Sequence, residues 1–279
     1  MPFDTSIVGK PFGPKTFTYE WRRPSLHALA CGAGTEELDL LLETRGPKVL
    51  RGFTAAMALE PLFEAVMSLG GNPLTLLHGA QRYTAHRPLP PEGSVEVTAR
   101  ISALYDKGKG ALAIYICEGR HAGEPLFEIE SQIYYRGEGG FGGERGPEAP
   151  PYAPPAGKPA DARVELKTQS TQALLYRLAS GDTNPIHSDP DIAAMAGFPR
   201  PILHGLCTFG HAERAVEQVL TGGDPDRVIS IEGRFAKPVF PGETLAVEVW
   251  KVKQGEAYFT ASIVERAEPA ITLGRVLYR

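Results

Sequence analysis

Between Tyr176 and His211 the chain reads YRLASGDTNPIHSDPDIAAMAGFPRPILHGLCTFGH. Six consecutive residues of it, 182–187, supply a carboxylate (Asp182), an amide (Asn184) and an imidazole (His187). Asp and His side chains aimed at one point can hold a water and move its protons, which is general acid–base chemistry. Asp and Asn are short, so the loop itself has to bring these groups together. Gly181 permits an unusual turn before them and Pro185 restrains the backbone between them. Two plainer roles compete. G-D-x-N-P is a good turn sequence in which Asp and Asn bond their own backbone. A bare Asp/His pair also suits a metal, although no third ligand stands at a recognisable spacing.

The flanking elements follow from local signals. Asp189 as N-cap, Pro190 at the first helical position and Gly197 beyond predict a short helix. Pro199 and Pro201 force extended backbone, and a long helix begins near Leu203. Over residues 202–220, Ile202, Leu206, Phe209, Ala212, Val216 and Val219 fall on one face at helical spacing. His204, at the start of that helix, is expected to bond backbone. In the first half, residues 52–69 (GFTAAMALEPLFEAVMSL) are predicted helical, and Met57, Phe63 and Met67 there belong either to the core or to an apolar channel.

Strand-like runs follow each helix. Alternation in Val95, Val97, Ala99 and Ile101, and again in Leu245, Val247 and Val249, implies strands with one buried face. Several strands after one helix predict an antiparallel sheet packed on that helix, an α+β arrangement. Two such units side by side could share one continuous sheet. The halves also resemble each other. RYTAHRPLPPEGSVEV (82–97) matches EGRFAKPVFPGETLAV (232–247) at an offset of 150, and Ala30–Ala33 falls on Ala179–Asp182 at an offset of 149. Between them, residues 137–163 contain seven Gly and six Pro without apolar periodicity. That stretch reads as a linker, flexible at its Gly-rich start and stiffer at its Pro-rich end. The expected division is therefore 1–136, 137–163 and 164–279.

With 279 residues the chain is long enough for two such units. Its 29 Lys+Arg against 33 Asp+Glu give a net charge of −4, no footprint for nucleic acid. The densest apolar run, Ala111–Cys117, is strand-sized, which speaks against a membrane span. Three scattered cysteines and no CxxC pair suit a reducing compartment. The N-terminus lacks a secretory pattern and the C-terminus, VLYR, is not an S-K-L address, so a cytoplasmic location is expected. No dinucleotide fingerprint or P-loop occurs, hence no nicotinamide or ATP cofactor.

The window Leu178-Ala179-Ser180-Gly181-Asp182-Thr183-Asn184-Pro185-Ile186-His187 resembles the signature of the type 2, (R)-specific enoyl-CoA hydratases of the MaoC-like family. Ile202-Leu203-His204-Gly205-Leu206, Pro238–Leu245 and His86-Arg87-Pro88-Leu89-Pro90 extend the likeness to both halves. The resemblance implies a double hotdog fold, with each sheet wrapping a central helix. It implies hydration of a trans-2-enoyl-CoA thioester to an (R)-3-hydroxyacyl-CoA in fatty-acid metabolism, without cofactor or metal, by a homodimer. By the same resemblance Asp182 and His187 hold and deprotonate one water. Asn184 supports the network, and the Gly205 N–H binds the developing oxyanion. The offset of 149 puts Ala33 and Leu38 where Asp182 and His187 stand, so the N-terminal half is expected to be catalytically silent. Arg87, Lys107 and Lys109 are candidate contacts for the CoA phosphates, alongside Arg82 and His86, although the Asp-Lys-Gly-Lys-Gly run would form a hairpin turn in any case. A thioesterase, a non-catalytic acyl-CoA binder and a dehydratase of branched or steroid-type substrates are the competing functions.

Overall fold

In a computed structural model that describes residues 3–72, 76–148 and 152–279, ten strands form one antiparallel sheet. They are β1 (Pro11–Tyr19), β2 (Leu76–Ala85), β3 (Gly93–Asp106), β4 (Gly110–His121), β5 (Glu124–Arg136), β6 (Ala162–Lys167), β7 (Val228–Phe235), β8 (Thr244–Lys253), β9 (Glu256–Ile263) and β10 (Glu268–Tyr278). Their spatial order is β1-β3-β4-β5-β2-β7-β10-β9-β8-β6. The order is palindromic: each strand of one half has its counterpart at the mirrored place in the other. At the seam β2 pairs with β7, and Arg82 lies opposite Glu232. Those two residues are themselves related by the offset of 150, so a pseudo-twofold axis passes between them.

The alternation expected of the strands is present. Val95, Val97, Ala99 and Ile101 of β3, and Leu245, Val247 and Val249 of β8, are wholly buried. Burial of each Val, Leu or Ile side chain is worth roughly 1.5–3 kcal/mol. They pack on two long helices, α2 (Thr54–Leu69) in the first half and α5 (Gly205–Thr221) in the second. The segment Arg51–Leu69 has the length and mean hydropathy, 1.2, of a membrane-crossing helix, but here it is packed on β1, β3 and β4. Met57 is core, Met67 is half-buried and Phe63 is exposed on the surface of α2.

Three elements are poorly marked in sequence. The edge strand β1 contains Pro11 and Pro14, and its pairing shifts register between Phe12 and Lys15. Proline is tolerated there because an edge strand need not donate on both sides. The helices α1 (Arg22–Ala30) and α3 (Gln172–Ser180) are only nine residues each and pack on one another across the pseudo-axis.

The Gly-rich start of the expected linker is not a free coil. The Asp106 carboxylate, at the tip of the β3–β4 hairpin, accepts from the backbone N–H of Gly108, Gly140 and Gly142 at 2.7, 2.9 and 2.8 Å. Gly137 N–H donates to Lys109 O at 2.9 Å and Asp106 N–H to Glu144 O at 2.8 Å. Those bonds hold the Asp106 carboxyl below its ordinary range. Glycine allows this because the backbone can approach the hairpin without side chains in the way.

Candidate active site

Helix α3 ends at Gly181, which takes the left-handed conformation (φ +81°) and donates its N–H to Arg177 O at 3.1 Å. A side chain there would be strained, and its Cβ would also meet Leu59 of α2 at 3.5 Å. The turn that follows is built from its own side chains. Asp182 Oδ1 accepts from Asn184 N–H at 3.0 Å, and Asn184 Oδ1 accepts from Ile186 N–H at 3.2 Å, capping a 3-10 turn at Pro185–His187. Asp189 caps α4 (Pro190–Met195), accepting from Asp191 and Ile192. So the turn-forming role of Asp and Asn is realised, and it engages only one of the two Asp182 carboxylate oxygens. Ile202 N–H donates to Ile186 O at 3.3 Å and Leu203 N–H to Val239 O at 2.7 Å, tying the loop to the approach of α5.

That tie places His187. Its Nδ1 lies 2.9 Å from Ile202 O. A carbonyl only accepts, so Nδ1 carries the proton and Nε2 presents a lone pair. Burial lowers the pKa of this imidazole and keeps it neutral. A neutral imidazole with a fixed tautomer is the form that accepts a proton from water.

His204 is also in the site. Its ring stacks on that of His187 at 3.8 Å and 25°, with Tyr176 behind it at 5.0 Å. Nε2 faces the Asp182 carbonyl oxygen at 3.4 Å, and Nδ1 is buried without a partner among the described residues. Burial, then the neighbouring His187, push its pKa down to about 3. Backbone bonding was the expectation for this residue; the stack on His187 was not visible in sequence. Asp182, His187 and His204 bring donor atoms within 4.8 Å of one another. By distance they could share an ion. Two nearly parallel stacked rings, however, aim their in-plane lone pairs side by side instead of at one point, and a metal needs convergent ligands.

Gly205 is the first residue of α5, preceded by His204 in an extended conformation (φ −55°, ψ 133°). A first-turn N–H has no intrahelical acceptor and sits at the positive end of the helix dipole. Phe235, at the end of β7, faces Gly205, 3.4 Å from where a Cβ would be. His78 of β2 meets the Phe235 ring edge-on at 4.9 Å, and its Nε2 bonds Gln81 Oε1 at 2.9 Å. Burial lowers His78 to about 4, with the Asp182 charge opposing the shift. His78 and Phe235 carry no signal in sequence as site residues. They arrive because β2 and β7 pair at the seam, Ala80 opposite Arg234.

The basic candidates are not gathered here. Arg87 donates to His121 O at 2.6 Å and to Glu124 O at 3.3 Å. It lies beyond Ala85, and the seven residue-to-residue steps from His78 to Ala85 span roughly 23 Å. Arg87 thus braces the far end of the sheet. Lys107 and Lys109 sit at the β3–β4 tip, at the same end as His78 but three strands from β2, about 14 Å at the usual spacing. Lys107 Nζ donates to Arg145 O and lies 5.6 Å over the Tyr105 ring, and Lys109 is exposed.

Comparison with known proteins shows the family. Residues 152–272 match the model of the MaoC like domain and residues 17–137 that of the MFE-2 hydratase 2 N-terminal domain. The chain is 41% identical to 3-hydroxyacyl-thioester dehydratase Y of Mycobacterium tuberculosis, covering 98% of this chain and 97% of that one. It is 39% identical to a protein of Arabidopsis thaliana named enoyl-CoA hydratase 2, peroxisomal, over 85% of this chain and 84% of the other. Among solved structures, a MaoC-like dehydratase from Phytophthora capsici superposes with TM-score 0.88 at 31% identity, covering 98% and 96% of the two chains. A Mycobacterium tuberculosis protein described as a double hotdog fold superposes at TM-score 0.61 and 16% identity over 97% and 95%, a likeness of fold alone. The ten-stranded sheet with two wrapped helices is a double hotdog, and the chain belongs to the MaoC-like dehydratase family of hydro-lyases, in its enoyl-CoA hydratase 2 branch.

Proposed function

We propose that the protein hydrates trans-2-enoyl-CoA thioesters reversibly to (R)-3-hydroxyacyl-CoA in fatty-acid metabolism. The observation that carries the reading is the Asp182 carboxylate within 4.8 Å of the neutral His187 and of His204, the residue that leads into α5 at Gly205. In the forward direction the water held by Asp182 and His187 attacks C3. His187 Nε2 takes one proton from that water, and charge moves to the thioester oxygen, where the Gly205 N–H receives it. The proton held by the Asp/His pair is then delivered to C2. Atoms balance as one water added, and no metal or redox group is required. Preorganised donors and acid–base groups of this kind are typically worth ~10²–10³ and ~10²–10⁴ in rate. His204, stacked and neutral, holds the His187 ring in place without competing for its proton. Asn184 contributes through the turn that presents Asp182.

Dehydration of a 3-hydroxyacyl thioester is the same reaction run backwards, and the name of the Mycobacterium tuberculosis relative states that direction. The two lobes, 1–136 and 164–279 about the 137–163 linker, are read as copies of one unit with a single active site. Ala33, buried, and Leu38 stand in the first lobe at the places of Asp182 and His187. A homodimer in the cytoplasm completes the reading; its three free and buried cysteines suit a reducing compartment. The test is direct: crotonyl-CoA and longer enoyl-CoAs are mixed with the protein while enoyl absorbance and free thiol are followed. Loss of absorbance with formation of the (R)-hydroxy product supports the proposal. Release of free thiol without hydroxyacyl-CoA would identify a thioesterase instead.

A further inference from the structure

His187 and Gly205 hang on one short strap. Ile202 O receives His187 Nδ1 at 2.9 Å, Leu203 N–H donates to Val239 O at 2.7 Å, and α5 begins two residues later. The strap is therefore supported by the loop Pro238–Glu243, which joins β7 to β8. Leu203 and Val239 are both 2% exposed, so the bond between them lies in the core.

That loop is clamped by two side chains outside the site. Glu243, 6% exposed, accepts from the Phe240 N–H of its own loop at 2.7 Å. Arg266, in the turn between β9 and β10, donates from Nε to Glu243 Oε1 at 2.7 Å and from Nη2 to Glu243 Oε2 at 3.2 Å. Its Nη2 also donates to Pro238 O at 2.6 Å, and the guanidinium lies 5.3 Å over the Phe240 ring. Nη1 pairs with Glu268. The turn is fixed on the start of β8 by Glu265, which accepts from Thr244 N–H at 2.8 Å. A planar fork engaged on a buried carboxylate and a carbonyl holds the loop in one geometry.

The first lobe shows that the fold does not require this clamp. At the offset of 150, Glu243 falls on Gly93 and Val239 on Leu89. A Cβ on Gly93 would stand 2.9 Å from His121 Cε1, which leaves no room for a glutamate. Val49-Leu50-Arg51-Gly52-Phe53 has the pattern of Ile202-Leu203-His204-Gly205-Leu206, and Leu50, like Leu203, is 2% exposed. Yet among the described residues no backbone bond joins Leu50 N–H to Leu89 O. Clamp and strap bond occur together in the lobe that holds Asp182 and His187. Both are missing from the lobe that has Ala33 and Leu38.

We infer that Arg266 and Glu243 are positioning residues for the hydration. They fix Val239 O and, through Leu203 and Ile202, the His187 imidazole and the first N–H of α5. The inference rests on the roles proposed above for His187 and Gly205. A misplacement of about 1 Å at a reacting centre costs on the order of 10²-fold in rate. Because the pair acts through groups that serve the transition state, it affects turnover and leaves substrate binding alone.

Arg266→Ala tests this, with crotonyl-CoA as substrate and circular dichroism as the check of folding. Its kcat should fall about 10–100-fold with KM unchanged. Arg266→Lys, which keeps the charge without the fork, should be slowed as well. Parental turnover in either folded variant, or a raised KM at parental kcat, would overturn the inference. A second measurement needs no turnover. In glycine-labelled protein the Gly205 amide, identified by NMR from its absence in Gly205→Ala, should shift in Arg266→Ala. If the parent hydrates no enoyl-CoA, the proposed function fails and this signal alone decides the inference. An unmoved Gly205 amide would overturn it with or without activity. If Arg266→Ala does not fold, Arg266→Lys carries both measurements.

Discussion

Replacing Gly205 by proline isolates one hydrogen-bond donor from everything else at the site. Gly205 is the first residue of α5, a position where the N–H has no intrahelical partner and proline is well tolerated. Its φ lies outside the left-handed region, and His204 before it is already extended at ψ 133°, the conformation a following proline demands. The nearest atom to an added Cβ is Phe235 Cε1 at 3.4 Å, ordinary contact. Stability should therefore hold or rise, since proline at a compatible site gains about 0.4–1 kcal/mol through the unfolded state. The oxyanion loses its donor, which typically costs ~10²–10³ in turnover, roughly 3–4 kcal/mol. Gly205→Ala is the control: it adds the Cβ and keeps the N–H. Hydration of crotonyl-CoA, with a melting curve for each variant, should show Gly205→Pro folded and at least a hundredfold slower than Gly205→Ala. Equal turnover in the two would refute the assignment of Gly205 as the oxyanion donor.

Asp182→Asn and His187→Gln should each lower kcat by about 10²–10⁴ while the protein stays folded by circular dichroism; retention of activity in either would remove that residue from the water-binding pair. Because burial holds His187 below its ordinary value of 6.5, the acid limb of kcat/KM should lie below pH 6.5, and a limb above it would contradict the neutral-base reading. Burial puts His27 and His204 at about 3 and His78 and His211 at about 4, so each contributes stability that is present above pH 6.5 and lost as pH falls toward those values; Glu213, pushed up to about 7 by burial, and Glu217, also raised by burial, act oppositely, their contribution being lost as pH rises. Below pH 6.5 the lowered histidines outnumber the two raised glutamates, so the unfolded chain binds more protons and stability falls as the pH drops; urea midpoints unchanged from pH 6.5 to 5 would rule this out. Titration with a non-reactive enoyl-CoA analogue should saturate at one equivalent per chain; two equivalents would assign a working site to the first lobe.

The sequence by itself determined the local structures and the repeat. The G-D-x-N-P turn, the Asp189 cap and the β3 and β8 alternation are set by short-range φ/ψ preference and by periodicity, which adjacent residues carry. The repeat at an offset of 150 is likewise written in the chain, and the seam pairing of Arg82 with Glu232 follows its symmetry. What lies between sequence-distant groups was decided only by tertiary structure. His78 reaches the site across the lobe seam, and His204 leaves its role as a helix-start residue to stack on His187. Arg87 is bonded to the distant His121 and Glu124 carbonyls, and the flexible-looking glycines are pinned by Asp106. Glu213, on an amphipathic helix where it would ordinarily face water, is instead buried against Gly52 of the other lobe. Each of these depends on strand pairing or helix packing between segments far apart in the chain. No local pattern encodes such contacts, because the free energy that fixes them belongs to the assembled sheet and core.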